Sequence, residues 1–294
     1  MNEGENKLHG WLIYSEADVE LNQSFIDWFI DEARYQNLSL ELMIREEMTI
    51  GIKGNERIMI MDGQAVSKPD FAVVRTTDSL LSLHLESCGI IVFNSSDISR
   101  ICNDKALTHH YINDLGIPMV DTFFYKKDNI PKSPPLAFPF VVKETSGRGG
   151  KQVYFIEDQQ EWNKLTVKLP NDFIIQSSHV KLGKDLRVFI IGKEIVGAIL
   201  RESNHDFRAN FKLGGSARLY DLNEQETATI RKIINHFHFD MVGIDFLIDL
   251  NGGLLFNEIE DVVGSRTLSA VSNINIVHKY VSHIKSELKK RNFH

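Results

Sequence analysis

Apolar and polar positions along this chain switch between a period of two and a period near 3.6, the repeats that mark strands and helices. Residues 8–14 (LHGWLIY) form a short apolar run of the kind found in buried parallel strands. Over residues 20–36, Leu21, Phe25, Trp28 and Phe29 recur at helical spacing, with Asp27, Asp31 and Glu32 between them. Residues 38–44 (LSLELMI) alternate as a strand does, and 71–74 (FAVV) and 90–93 (IIVF) are two more β-rich runs. Together they predict a βαβ-type domain of roughly 95 residues.

The pattern continues with a helix over 104–115, stopped by Gly116, Ile117 and Pro118. A strand, VDTFFY (120–125), leads into IPKSPPLAFPF (130–140), where proline blocks helix and predicts a connector. FVVKE (140–144) is a strand, and SGRGGKQVYFIE (146–157) is a glycine-rich turn running into another. Residues 172–177, 186–192 and 194–202 follow as strands, the last two as a hairpin through Gly192 and Lys193. A helix covers 223–236. MVGIDFLIDLNGGLLFNEIE (241–260) is a hairpin turning at Asn251, Gly252 and Gly253. A last helix over 272–290 ends in the basic run LKKR, which suits the negative end of the helix dipole. The fold class is therefore mixed α/β and α+β, with no internal repeat.

Composition narrows the function. The chain of 294 residues is long enough for two or three packed units. Its net charge of -7 argues against bulk electrostatic binding to nucleic acid or to an anionic membrane. No apolar run approaches the roughly 20 residues of a membrane span, and MNEGENKLHG lacks the basic-then-apolar order of a signal peptide. Cys88 and Cys102 have no metal-ligand spacing and read as reduced thiols of a cytoplasmic protein.

Several residue groups carry chemistry. Ser146, Gly147, Arg148, Gly149 and Gly150 form a loop between two strands, where clustered glycines let backbone N–H groups approach a phosphate. A tight hairpin turn explains that loop equally well. It is neither a P-loop nor a Rossmann turn, since a strand follows it. Lys143 ends the preceding strand; a phosphate would partner its charge, although a lysine reaching water is the commoner case. Lys105, at a helix start, is weaker evidence alone. The acidic set is sharper. Asp245 lies in an apolar strand; Glu258 and Glu260, two apart in the next strand, share a face, and the hairpin brings all three together. Converging carboxylates repel unless a cation joins them, and hard oxygens suit Mg²⁺. The alternative is that Glu260 and Asp261 point to solvent at a strand end. Arg187, Arg201, Arg208 and Lys212 form a basic group with Asn210 among them, in and before a polar loop at 206–217. A solvated charged face is its plain alternative. His109, His110, His236 and His238 lack metal-site spacing.

Taken in order, CNDK (102–105), FVVKE, SGRGGKQV, GKDLRVFIIGKEIVGAILRE, DFRANFKLGG, GIDFLID and FNEIE resemble the RimK-like branch of the ATP-grasp superfamily. The resemblance spans nearly the whole chain. It implies an ATP-grasp fold: an N-terminal pre-ATP-grasp domain (1–97), then an ATP-grasp domain (98–294) of two subdomains, 98–175 and 176–294, that hold ATP between them. It implies phosphate contacts from Lys105 and Lys143, a lid formed by Ser146 to Gly150, and adenine contacts from the backbone of Gln176, Ser177, Ser178 and His179. Arg187, Arg201 and Arg208 match basic residues near the γ-phosphate and the acyl phosphate, and Asn210 matches the asparagine of the family's F-R-x-N segment. Asp245 and Glu258 match the magnesium ligands.

Two departures stand out. Glu260 occupies a position where the family usually has asparagine; it can still ligate magnesium (or manganese), and it adds charge. Where the linker usually carries glutamate, Ser177 and Ser178 stand, with Asp185 as a substitute for adenine and ribose recognition. The activity implied is ATP- and magnesium-dependent joining of a carboxylate to an amine through an acyl phosphate. Substrates of the branch are amino acids, peptides or a protein C-terminus, and homo-oligomers are common. The loops at 203–217 and 261–270 are expected to shape the acceptor pocket, with Arg266 either a carboxylate binder or a surface residue. Two other uses of the fold remain: a non-catalytic ATP sensor and a phosphoryl transferase.

Overall fold

The computed structural model describes residues 7–147, 152–209 and 215–292. The chain divides into two compact units. One runs to Arg100 and takes in His238–Met241 and the residues from Ile274 onward; the other comprises Ile101–Phe237 and Val242–Asn273.

The first unit is built on a parallel sheet. Its elements are β1 (His9–Tyr14), α1 (Glu16–Tyr35), β2 (Ser39–Ile44), β3 (Met48–Lys53), β4 (Glu56–Met61), β5 (Gln64–Ala65), β6 (Phe71–Val74), α2 (Ser79–Ser87), β7 (Ile91–Phe93) and the start of α3 (Ser96–Cys102). The parallel strands lie in the order β2-β1-β6-β7. Ser15 caps α1 by accepting a hydrogen bond from the Asp18 N–H. Gly10 is required on β1, because a Cβ there would lie 2.3 Å from the Phe71 ring. Strands β3, β4 and β5 form a separate antiparallel sheet that the sequence pattern did not suggest. Its turns, Gly54-Asn55 and Asp62-Gly63, all have positive φ, the geometry of tight hairpins. Met48 and Met59 anchor this sheet in a core with Trp11, Met43 and Leu81.

The second unit opens with α4 (Lys105–Asp114), capped by Asp104. An antiparallel sheet follows in the order β10-β9-β11-β8, made of β8 (Thr122–Tyr125), β9 (Phe140–Glu144), β10 (Val153–Ile156) and β11 (Phe173–Ser177). Helix α5 (Gln159–Thr166) seats Trp162 against Phe140 and Phe173. A five-stranded sheet comes next, in the order β14-β13-β12-β15-β16. Its strands are β12 (Lys184–Ile191), β13 (Glu194–Glu202), β14 (Ser216–Leu219), β15 (Met241–Ile248) and β16 (Leu254–Glu260). Helix α6 (Glu224–His236) begins with a capping box of Asn223 and Glu226. The expected helix over 272–290 runs as α8 (Ile276–Asn292), and a short helix, α7 (Arg266–Val271), forms within the segment at 261–270. Asn275 starts α8 by accepting from the His278 N–H at 2.9 Å. The expected loop at 206–217 gives way to strand at Ser216, where β14 pairs with β13.

Candidate active site

Two hairpins of the five-stranded sheet turn their charged side chains to one face. On β15 and β16, Asp245 is opposite Glu258, but Phe246 is opposite Phe256, so Asn257 is an extra residue, a β-bulge. Oxygens of Asp245, Glu258 and Glu260 lie within 4.8 Å of one another. That donor set, three hard carboxylate oxygens around one point, fits a single Mg²⁺ or similar ion. The neighbouring hairpin adds Asp185 directly opposite Arg201, with Arg187 two residues along β12.

These charges form one network. Arg187 grips Asp245 through both oxygens, at 2.7 and 2.6 Å, and reaches Glu260 at 2.8 Å. Arg201 grips Asp185 at 2.6 and 2.7 Å and touches Asp245 at 2.8 Å. Asp245, Arg187 and Arg201 are buried, so their pairing is strong and breaking it is costly. Burial pushes the Asp245 carboxyl up, but the two guanidinium groups outweigh it and hold it at about 2. For Asp185 burial prevails over Arg201 and raises the pKa to about 6. Burial likewise raises Glu260 against the pull of Arg187. Glu258 is lowered: Lys105 and Lys143 together overcome its burial.

The lysines come from the other sheet and from α4. The Phe256 N–H donates to the Pro118 carbonyl at 2.8 Å, tying the residues after α4 to β16. At the start of α4, the Lys105 N–H donates to the Thr145 carbonyl at 3.0 Å. The Lys105 ammonium donates to the Gly147 carbonyl and lies 3.4 Å from Glu258. Lys143, on β9, donates to Asn257 Oδ1 at 2.6 Å. Burial, aided by the like charge of Lys105, brings its pKa down to about 8 against the attraction of Glu258.

Gln176 ends up buried near the end of β11. Its amide donates to Thr122 Oγ1 at 3.1 Å and meets His109 Nε2 at 3.0 Å. His109 Nδ1 faces the Lys105 carbonyl at 2.6 Å. A carbonyl only accepts, so Nδ1 carries the proton and Nε2 accepts from Gln176. Gln176 Oε1 is buried with no hydrogen-bond partner among the described residues. In the linker that follows, the His179 N–H donates to Ser177 Oγ at 3.2 Å, and Ser178 Oγ donates to the Pro139 carbonyl at 2.6 Å.

A model of the RimK-like ATP-grasp domain matches residues 103–284. The glutamate–LysW ligase ArgX of Sulfurisphaera tokodaii is 29% identical over 241 residues, which cover 77% of this chain and 86% of that relative. Human N-acetylaspartylglutamate synthase A is 26% identical over 262 residues, covering 82% of this chain and 66% of that protein. Among solved structures, D-alanine–D-alanine ligase from Bacillus anthracis complexed with ATP superposes with a TM-score of 0.72 at 15% identity, covering 96% of this chain and 98% of that one. The chain belongs to the RimK-like ATP-grasp family. The expected ATP-grasp fold is borne out.

Within this ATP-grasp body, Lys105, Lys143, Arg187, Arg201, Asp185 and the three carboxylates meet in one cluster. Arg208 has its own local partners: Asp206, at 2.9 and 2.7 Å, and the Phe207 ring beneath it. Ser146 is exposed on the turn after β9, and the Gly147 N–H donates to the Glu144 carbonyl at 3.2 Å. Arg148, Gly149, Gly150, Asn210 and Lys212 lie outside the described residues. Asp261 is buried rather than solvent-facing, and Arg266 is exposed at the start of α7. Two residues of the site escaped the sequence reading, Asn257 and His109. A regular strand would turn Asn257 away from Glu258; the bulge brings both to the same side. His109 had a signal, four residues after Lys105 on one helix face.

Proposed function

We propose that this RimK-like ATP-grasp ligase joins a carboxylate to an amine at the cluster around Asp245, using ATP and magnesium. The observation that carries this reading is the set of three carboxylates within 4.8 Å of one another, ringed by two lysines and two arginines. Asp245, Glu258 and Glu260 would hold the metal. When bound, it neutralises phosphate charge so that an anionic nucleophile can approach. Manganese suits the same oxygens.

Lys105 and Lys143 lie on the side of the cluster supplied by α4 and β9 and would bind the ATP phosphates. Gln176 Oε1, an open acceptor held in place by His109 and Thr122, suits the adenine amino group, with Ser177, Ser178 and His179 beside it. A substrate carboxylate oxygen attacks the γ-phosphorus and ADP leaves. Arg187 and Arg201 steady the resulting acyl phosphate. The amine then attacks the acyl carbon, phosphate departs, and the amine gives up a proton as the amide forms. Arg208 joins only by exchanging Asp206 for a phosphate. Water must be kept from the acyl phosphate, and the segment around Phe207, whose ring lies tilted against Phe155 with centroids 5.2 Å apart, would do this.

Glutamate appears in the names of both relatives, so it heads the candidate substrates. Amino-acid and peptide amines come next, and a protein C-terminus is the broadest choice. Screening amino acids and peptides for acceptor-dependent ADP release, with the product's mass, tests the reading. Glu258→Ala is expected to lower turnover by at least about a hundredfold, in line with loss of a metal ligand. Full activity in that variant would remove Glu258 from the metal site.

A further inference from the structure

One nitrogen bridges two of the carboxylates. Arg187 Nη2 stands 2.6 Å from Asp245 Oδ2 and 2.8 Å from Glu260 Oε1. A divalent ion shared by those oxygens would stand between them too, at about 2.1 Å from each for magnesium. Ion and guanidinium cannot share that place, because arginine keeps its proton at any working pH and the two positive charges repel. Arg187 is also anchored there by its Nε on Asp245 Oδ1 at 2.7 Å.

The charge balance points the same way. Among the described residues, Asp185, Asp245, Glu258 and Glu260 face Lys105, Lys143, Arg187 and Arg201, four carboxylates against four cations. Without nucleotide this cluster has no surplus negative charge to draw a dication out of water. A polyphosphate changes that, since its oxygens offer the cationic side chains new partners and free the carboxylates.

We propose that Arg187 is a cation placeholder: it fills the bridging position between Asp245 and Glu260 and keeps divalent metal out of the nucleotide-free enzyme. Metal then enters only with the nucleotide. The departure at Glu260 acquires a purpose, since its carboxylate holds the guanidinium in place. This inference rests on reading Asp245, Glu258 and Glu260 as the metal ligands.

The test is Mn²⁺ binding to the full chain, followed by the electron paramagnetic resonance of free Mn²⁺. Nucleotide-free R187M is expected to bind Mn²⁺ at least about tenfold more tightly than wild type, a conservative figure for removing one adjacent charge. Equal affinities would overturn the placeholder. Should R187M fail to fold, wild-type protein labelled with ¹⁵N-arginine gives the answer. The Nε–H resonance of Arg187, assigned by its loss in R187K, should ignore millimolar Mg²⁺ alone and shift when Mg²⁺ and ADP arrive together. A shift with Mg²⁺ alone would overturn the proposal. The two readings also separate. Tight Mn²⁺ binding to nucleotide-free wild type that E258A abolishes would sink the placeholder and leave the ligands standing. Unchanged Mn²⁺–ADP binding in E258A would sink both.

Discussion

His109 gives the site a pH signature at the scale of one residue. Burial pulls its pKa down to about 4, further lowered by Lys143, while its bond to the Lys105 carbonyl pulls the other way. The ordinary histidine value is 6.5, so the unfolded chain takes up the proton first as pH falls. The stabilisation is therefore complete above about pH 6.5 and drains away as pH drops towards 4, a loss on the order of 3 kcal/mol. Urea midpoints measured across that range should fall less steeply in H109Q than in wild type. Parallel curves would mean that His109 is not the titrating group. At this scale the acidic residues were legible because strand periodicity and a glycine turn place Glu258, Glu260 and Asp245 on one face. Asn257 was not, because a bulge is a fact about register between strands and leaves no mark in the alternation of one strand. The grip of Arg201 on Asp185 lay between these cases: both residues stood out, but their pairing appears only once the β12–β13 register is known.

Among the elements, the segment 178–184 and the loop at 203–208 act together through Gly183. Its φ is +70°, and a Cβ there would lie 2.3 Å from the Ser203 carbonyl and 3.1 Å from that of Asp206. Gly183 also exchanges backbone hydrogen bonds with this loop, accepting from the Ser203 N–H and donating to the Phe207 carbonyl, both at 2.7 Å. Gly183→Ala should therefore push the loop away, displace Phe207 and Arg208, and cost roughly 1–3 kcal/mol of stability. The assay is ATP hydrolysis without acceptor against amide formation: the ratio should rise, since water reaches the acyl phosphate. An unchanged ratio would detach the loop from that role. Elements with strong periodicity were readable in the sequence, α1 and the β15–β16 hairpin among them. The β3–β4–β5 sheet was not read, although Gly54-Asn55 and Asp62-Gly63 are hairpin turns and Met48, Ile50, Met59 and Met61 give it a packed face. The later start of α8, at Ile276 instead of 272, was hidden because Asn275 is an ordinary polar residue until its side chain is seen to cap a helix.

For the molecule as a whole, the two-unit division shows what linear order conceals. The first unit is completed by α8, whose Tyr280 packs edge-on against Phe29 of α1 with ring centroids 5.6 Å apart. Both rings are almost wholly buried. Tyr280→Ala should destabilise the first unit by about 3–5 kcal/mol. Hydrogen exchange should show the loss in β1, β2 and α1 before it reaches the five-stranded sheet. Uniform loss across both units would indicate a single cooperative block. The C-terminal helix itself was visible in the sequence. Its allegiance to the N-terminal sheet was not, because periodicity says that a face is buried and never against what.

That allegiance also has a consequence during synthesis. Phe29 leaves the ribosome 251 positions ahead of Tyr280, which at usual elongation rates is roughly ten to fifty seconds. Throughout that interval the Phe29 ring of α1 lacks the Tyr280 ring that packs against it in the finished fold. The first unit can therefore close its aromatic core only after nearly the whole chain has been made.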